Sequence, residues 1–410
     1  MKTALFVFFL FCGSILYAQQ NDHPKNLFII TVDGLRWQEV FGGADERVMN
    51  NPGFVQDTAL TREMYGAASA EERRRILMPF FWNVIARKGQ LHGNRNLDNK
   101  VDVSNPYKVS YPGYSEMLTG YADPFVMNNS RKNNSNENLL EFLNKQSLYK
   151  NSVAVFASWN VFPFILNKER NSLPVNSGYE AVNDNAEQVA MINRVQDSVY
   201  DKEATRYDLL TFLHAKQYVK KNHPRVMLLG LGETDEFGHK AEYDNYLQQA
   251  NNVDKMIAEL WYLVQTDPFY KDNTIFMITT DHGRGSRPAK WYSHSGLVKG
   301  SGSTWIALMG PGIKPLGEIK ANTQIYQKQF AATAASLIDQ DFDANHPVAT
   351  AFTIPETAYQ KQEQGLWSLG ISIDTFLTPE GILLMLVLVL TTLLLKMKRR
   401  YRTQYRLQFQ

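Results

Sequence analysis

Three acids and three histidines in this sequence stand where one site could gather them. Asp33 follows the apolar run Leu27 to Val32, Asp235 follows Val226 to Gly232, and Asp281 follows Thr274 to Thr280. Each run is short, aliphatic or β-branched, and closed by polar residues and glycine, which is the pattern of a buried strand. Parallel strands in one sheet would bring the three carboxylates out along a single edge, where open α/β sheets place their chemistry. His282 adjoins Asp281, His239 returns beside Asp235 if the chain turns at Gly238, and His294 lies a short way downstream. One acid at a strand end is an ordinary polar turn, whereas the set of six points to a metal cluster. Carboxylate and imidazole without thiolate suit zinc, and manganese or iron less well. Two such ions about 4 Å apart clamp the attacking and leaving oxygens of an in-line displacement.

Ser110 could supply the attacking oxygen. The stretch Ser110 to Thr119 has the marks of a short helix, with Ser110 expected at the N-cap, Pro112 in the first turn and Gly120 just past the end. A serine so placed is usually only a cap. A helix N-terminus also offers free amides and the positive end of a dipole to a phosphate, and a neighbouring divalent ion lowers the pKa of a hydroxyl enough for attack at neutral pH.

The elements that must position these residues alternate. Strands are expected at 27–32, 153–157, 226–232, 274–280 and 305–309. Helices are expected at 71–86, 110–119, 139–145, over most of 179–218, at 243–264 and at 325–338. Strands alternating with helices imply parallel crossovers, and so an α/β fold with a doubly wound, mostly parallel sheet and helices on both faces. No composition break divides 26–356, so a single catalytic domain is expected there, followed by a stalk at 357–375.

Both ends of the 410-residue chain read differently. Residues 1–18 have the basic start, apolar centre and small-residue exit of a secretory signal peptide. The one cysteine, Cys12, falls inside it, so the mature chain is expected to have neither disulfide nor thiolate. The run Ile382 to Leu395 covers only about 21 Å as a helix, short of a hydrocarbon core of about 30 Å. Starting at Phe376, with Glu380 reaching to the interface, makes up the difference, so 376–395 is expected to be a transmembrane helix rather than a helix docked on the body. The basic tail 396–410 then lies inside by the positive-inside rule. Setting aside the seven Lys and Arg of the two ends, the formal charge of +2 becomes −5 for the remainder. A mildly acidic outer domain argues against a nucleic-acid polymer as partner.

The order Asp33-Gly34, Ser110-x-Pro112, Asp235-x-x-Gly238-His239, Asp281-His282-Gly283, His294 resembles the alkaline phosphatase superfamily. Within it the type I phosphodiesterase / nucleotide pyrophosphatase branch is most similar. Phe28 to Trp37 looks like its opening strand and first metal ligand, Ser110 to Gly120 like its nucleophile segment, and Thr234 to Lys240 like its second ligand loop. Gly310 to Ile313 and the 325–338 helix are similar to the superfamily's closing elements. The resemblance implies two divalent ions, most simply Zn2+. Asp235, His239 and His294 would hold one; Asp33, Asp281, His282 and the Ser110 oxygen would hold the other. It further implies a phosphoserine intermediate and a small phosphorylated or phosphodiester substrate.

Departures from the branch are visible. Serine replaces threonine as nucleophile, and Gly113 stands where the branch carries an asparagine read as a donor to a phosphoryl oxygen. Asn94, Lys108 and Arg284 are candidate replacement donors, and Trp159 and Phe162 are candidates to stack on a substrate. Tyr114 occupies the arginine position of sulfatases, and no cysteine is available for formylglycine, which argues against a sulfatase. The expectation is a membrane-tethered phosphodiesterase facing outward, in the periplasm if the cell is bacterial. A phosphomonoesterase, a phosphoryl-headgroup transferase and a silent envelope module are the alternatives, and the sequence says nothing of oligomeric state.

Overall fold

Alternate residues of the first strand feed two different cores, and this determines the layering of the molecule. The computed structural model describes residues 24–357. In β1 (Asn26–Val32), Phe28, Ile30 and Val32 pack into one hydrophobic cluster with Phe212, Tyr246 and Ile257, while Leu27 and Ile29 pack into a second with Tyr114, Leu118 and Phe330. A strand apolar on both faces needs cover on both. The helices Asp208–Asn222 and Tyr243–Thr266 supply it on one side, and Ser110–Thr119, Leu139–Lys145 and Phe330–Leu337 on the other.

The remaining strands are β2 (Gly89–His92), β3 (Asn99–Asp102), β4 (Val153–Ala157), β5 (Val175–Ser177), β6 (Val226–Leu231), β7 (Thr274–Thr279), β8 (Ser303–Thr304), β9 (Ile306–Met309), β10 (Gly317–Glu318) and β11 (Thr323–Tyr326). Eight form the central sheet in the order β10-β2-β9-β7-β1-β6-β4-β5, and β11-β3-β8 form a small second sheet. The mixed α/β fold with a mostly parallel central sheet agrees with the expectation. The exception is β9, which runs antiparallel to both β7 and β2. No α-helix intervenes between β7 and β9, only a 3-10 turn at Pro288–Lys290 and the two-residue β8, so the chain reverses direction instead of crossing over. Register matters more for function. Thr31 pairs with both Gly230 and Thr279, so β1, β6 and β7 end level and release Asp33, Asp235 and Asp281 at the same edge.

Three expected helices are corrected. The stretch 71–86 divides into Ala70–Leu77 and a wide turn over Phe81–Ile85, because Pro79 cannot donate to the helical ladder. Only Glu187–Asp197 and Asp208–Asn222 are helical within 179–218. At 325–338 the chain first forms β11, then a short 3-10 turn, and the α-helix begins at Phe330. The expected signal peptide, membrane span and basic tail, and all but the first residue of the stalk, lie outside the described residues. Among the described residues no helix is long and apolar enough to cross a membrane.

Candidate metal centre and nucleophile

The three strand ends deliver their acids into a shared, nearly dry space: Asp33, Asp281 and His282 are buried, and Asp235 almost fully so. Gly34 has φ of +63° and would drive a Cβ into the Asp235 carboxylate, so only glycine lets β1 turn away here. Its amide donates to Asp281 Oδ1 at 3.1 Å, tying two of the strand exits together. Asp235 and His239 sit one turn apart on the helix Glu233–His239, with His239 Nε2 2.9 Å from Asp235 Oδ2. That helix is anchored at its start. Asp208 accepts from the amides of Gly232 and Glu233 at 2.7 and 3.1 Å, and Thr234 Oγ1 donates to the Asp33 carbonyl at 2.6 Å.

Backbone carbonyls fix two of the imidazoles. His282 Nδ1 lies 3.0 Å from the Gly283 carbonyl and His294 Nδ1 lies 3.1 Å from the Lys108 carbonyl. A carbonyl only accepts, so each ring carries its proton on Nδ1 and turns the Nε2 lone pair inward. The two rings stack at 3.9 Å. His282 Nε2 is then 3.3 Å from Asp281 Oδ2 and 3.6 Å from Asp33 Oδ1, while His294 Nε2 is 3.1 Å from His239 Nε2 and 3.8 Å from Asp235 Oδ1.

Two candidate metal-holding groups result, Asp33/Asp281/His282 and Asp235/His282/His294, with His282 between them and His239 closing the second. Asp281 Oδ2 is buried with no hydrogen-bond partner, an orphan that a cation would satisfy. Oxygen and nitrogen donors converging around such an orphan fit divalent ions of the zinc type.

Charge is unevenly compensated. Burial, then the neighbouring carboxylates Asp281 and Asp235, push Asp33 well above the usual carboxylate range. Burial and the charge of Asp235 push Asp281 up to about 7. Burial acts on Asp235 too, but the Arg284 guanidinium and the hydrogen bond from His239 outweigh it and hold that carboxyl well below the usual range. Burial pushes His294 down to about 4 and holds His282 well below the ordinary imidazole range, so both rings are neutral near pH 7, as metal ligands must be.

Ser110 corrects one expectation. The N-cap is Val109; Ser110 is the first helical residue, and its hydroxyl caps nothing. The hydroxyl lies instead 3.2 Å from His282 Nε2 and 3.4 Å from Asp33 Oδ1. The helix reaches this position because Gly113 lets it ride on the Asp281 backbone: a Cβ there would stand 2.5 Å from the Asp281 carbonyl oxygen. Gly113 therefore serves close approach, and the position has no room for a donor side chain.

One polar side chain at the start of this helix was not singled out in the sequence. Asn129 Oδ1 accepts from the Tyr111 amide at 2.9 Å, which seats its carboxamide over the helix N-terminus beside Ser110. Pro112 has no N–H, the Tyr111 amide is bonded to Asn129 and the Gly113 amide to the Val109 carbonyl, so the Ser110 N–H is the amide of this first turn left for a ligand. The only hint was an asparagine-rich tract following the nucleophile helix, which reads as surface loop.

The other proposed donors and stacking groups are mostly engaged elsewhere. Arg284 is fully buried, bonded to the Asp235 carboxylate and to the Tyr292 carbonyl, and threaded past Gly34 and Gly238. Asn94 donates to Glu318 at 2.7 Å. Phe162 is core, 4.7 Å from the Tyr114 ring. Trp159 packs on the same core and bridges to Thr205. Lys108 meets the site through its carbonyl. A cavity of about 950 Å³ is bordered by Glu233 and Phe237 and by none of the candidate ligand residues.

Residues 114–365 match the family described as type I phosphodiesterase / nucleotide pyrophosphatase. No curated protein matches the sequence. Among solved structures, the chain is similar to the lipoteichoic acid synthase LtaP from Listeria monocytogenes (11% identity, 77% of this chain and 72% of that one, TM-score 0.51). It is also similar to a 2-O GAG sulfatase (12%, 80% and 73%, TM-score 0.51) and to a protein of the alkaline phosphatase superfamily from Vibrio parahaemolyticus (13%, 78% and 67%, TM-score 0.46).

Proposed function

The chain belongs to the type I phosphodiesterase / nucleotide pyrophosphatase family, and on that premise we propose that it hydrolyses phosphoric esters, foremost phosphodiesters, with Ser110 as nucleophile at a two-metal site. One observation carries the reading: the Ser110 hydroxyl, released from capping, faces both His282 and Asp33 inside the ligand cluster. Asp33, Asp281 and His282 would hold one ion, and Asp235, His239 and His294 the other, zinc being the best match to these donors. Bound there, the pair supplies Lewis acidity and lowers the pKa of the serine hydroxyl.

The remaining chemistry belongs to the chain. Ser110 Oγ attacks phosphorus in line, forming a phosphoseryl ester as the bond to the leaving alkoxide breaks. Water then opens that ester and restores the serine. The Ser110 amide and the Asn129 carboxamide donate to the non-bridging oxygens and orient the phosphoryl group. Arg284 is spent on Asp235, so these donors are neutral, which suits a singly charged diester better than a doubly charged monoester. The same reading includes secretion by the 1–18 signal, a membrane anchor at 376–395 and a catalytic domain outside the cytoplasm.

The test compares turnover of a nitrophenyl phosphate diester, a monoester and a sulfate by the zinc-loaded protein, with Ser110→Ala alongside. Diester turnover that disappears in Ser110→Ala is expected. A monoester preference moves the assignment to phosphatase, and turnover retained by Ser110→Ala removes the serine from the mechanism.

A further inference from the structure

The nucleophile helix also carries a buried acid that has no part in the chemistry above. Glu116 is fully buried, and its carboxylate accepts from the amides of Ser104 (2.7 Å), Asn105 (2.8 Å) and Lys328 (3.1 Å) and from Asn105 Nδ2 (2.9 Å). These bonds fix the Asn105 side chain so that its Oδ1 accepts from the Lys108 amide at 2.8 Å and the Tyr107 amide at 3.2 Å. An asparagine capping amides two and three residues on closes a tight turn, and here it holds Lys108 at φ of +55°. A non-glycine residue adopts that conformation only where its surroundings impose it. In it, the Lys108 carbonyl faces His294 Nδ1. The His294 loop is seated on the same turn, because Gly296 lies so close to the Pro106 carbonyl that a Cβ would collide with it.

We infer that Asn105 is a positioning residue for the metal centre: the turn it closes aims the Lys108 carbonyl at His294, sets that ring's tautomer, and so determines the metal affinity of the Asp235/His239/His294 half. The inference rests on the two-metal reading. Glu116 couples the parts, since one helix carries the nucleophile at its start and, further along, the anchor of the turn that orients a metal ligand. It also assigns Lys108 a backbone role in place of a side-chain role.

Zinc alone is the probe, with stoichiometry and affinity measured by calorimetric titration of the full chain, and the His294 Nδ1 proton followed by 15N-edited NMR. Wild type is expected to take two equivalents. Asn105→Ala should lose about 10- to 100-fold in affinity at one site, the range for removing an outer partner of a ligand histidine, keep the other site unchanged, and lose the protected Nδ1 proton. Lys108→Gly retains the carbonyl and accepts the positive φ, and should bind both ions as wild type does. If Asn105→Ala does not fold, Asn105→Ser, which keeps one acceptor, should show an intermediate loss. Two tight sites in Asn105→Ala, or a loss in Lys108→Gly equal to that in Asn105→Ala, overturns the inference. No zinc bound by wild type, or no loss in His294→Ala, overturns the two-metal reading instead.

Discussion

Gly113→Ala separates close approach from helix propensity by the sign of its effect. Gly113 is in the fourth position of the helix Ser110–Thr119. Judged by propensity alone, alanine there stabilises by roughly 0.5–1 kcal/mol. The structure reverses the expectation. The new Cβ would stand 2.5 Å from the Asp281 carbonyl oxygen. A relaxed carbon–oxygen contact needs about 3.3 Å, so the helix must retreat by roughly 0.8 Å. Overpacking of this kind costs about 1–3 kcal/mol, leaving a net destabilisation of up to about 2.5 kcal/mol after the propensity gain. Ser110 lies one turn before Gly113 and moves with it, and a nucleophile misplaced by about 1 Å loses on the order of 100-fold in rate. The assays are thermal unfolding of the zinc-loaded protein and diester kcat, with zinc content checked to remain at two ions. A Gly113→Ala protein that is more stable than wild type and turns over normally refutes the close packing of the nucleophile helix on Asp281.

Asn129→Ala should lower kcat/KM on a diester by about 10- to 100-fold, corresponding to a hydrogen bond to a charged oxygen. Asn129→Asp keeps the acceptor for the Tyr111 amide but turns a negative charge on the substrate, so its activity should fall further while its melting temperature stays nearer wild type; equal activity in the two variants would argue against donation. Arg284→Met leaves the buried Asp235 carboxylate without its guanidinium, which should destabilise the metal-free protein by about 3–5 kcal/mol, with added zinc recovering part of the loss. Differential scanning with zinc and with a chelator checks this. His92 is buried with neither ring nitrogen bonded, and burial pushes it down to about 4 from 6.5. The unfolded chain protonates first, so the stability due to this residue is intact above pH 6.5 and drains away as pH falls towards 4, about 3 kcal/mol in all. His92→Phe should flatten that part of the acid-unfolding curve, and an unchanged curve would contradict the assignment.

The sequence by itself determined what depends on local pattern. Apolar runs closed by an acid located β1, β6 and β7 and the order of their carboxylates, since a strand buried on both faces admits no charged residue until it leaves the sheet. Residue type limited the metal chemistry, because imidazole and carboxylate were the only strong ligands on offer. Capping rules placed the 110–119 helix, yet assigned Ser110 to the cap. They could not show that Val109 takes that place, because capping depends on where a hydroxyl points and here the neighbours that draw it, His282 and Asp33, are far away in sequence. The remaining decisions were also long-range. Arg284 was a free donor on paper and is a buried partner of Asp235 in space. Gly113 was read as a lost contact and is a clearance for a carbonyl 168 residues on. Asn129, in a polar loop with no periodicity, meets the Tyr111 amide only because Lys132 and Phe164 carbonyls hold the Tyr111 hydroxyl beneath that loop. Strand ends are set by burial, which a short window of sequence records; side-chain partners are set by which elements the sheet brings level, and only the tertiary structure decides that.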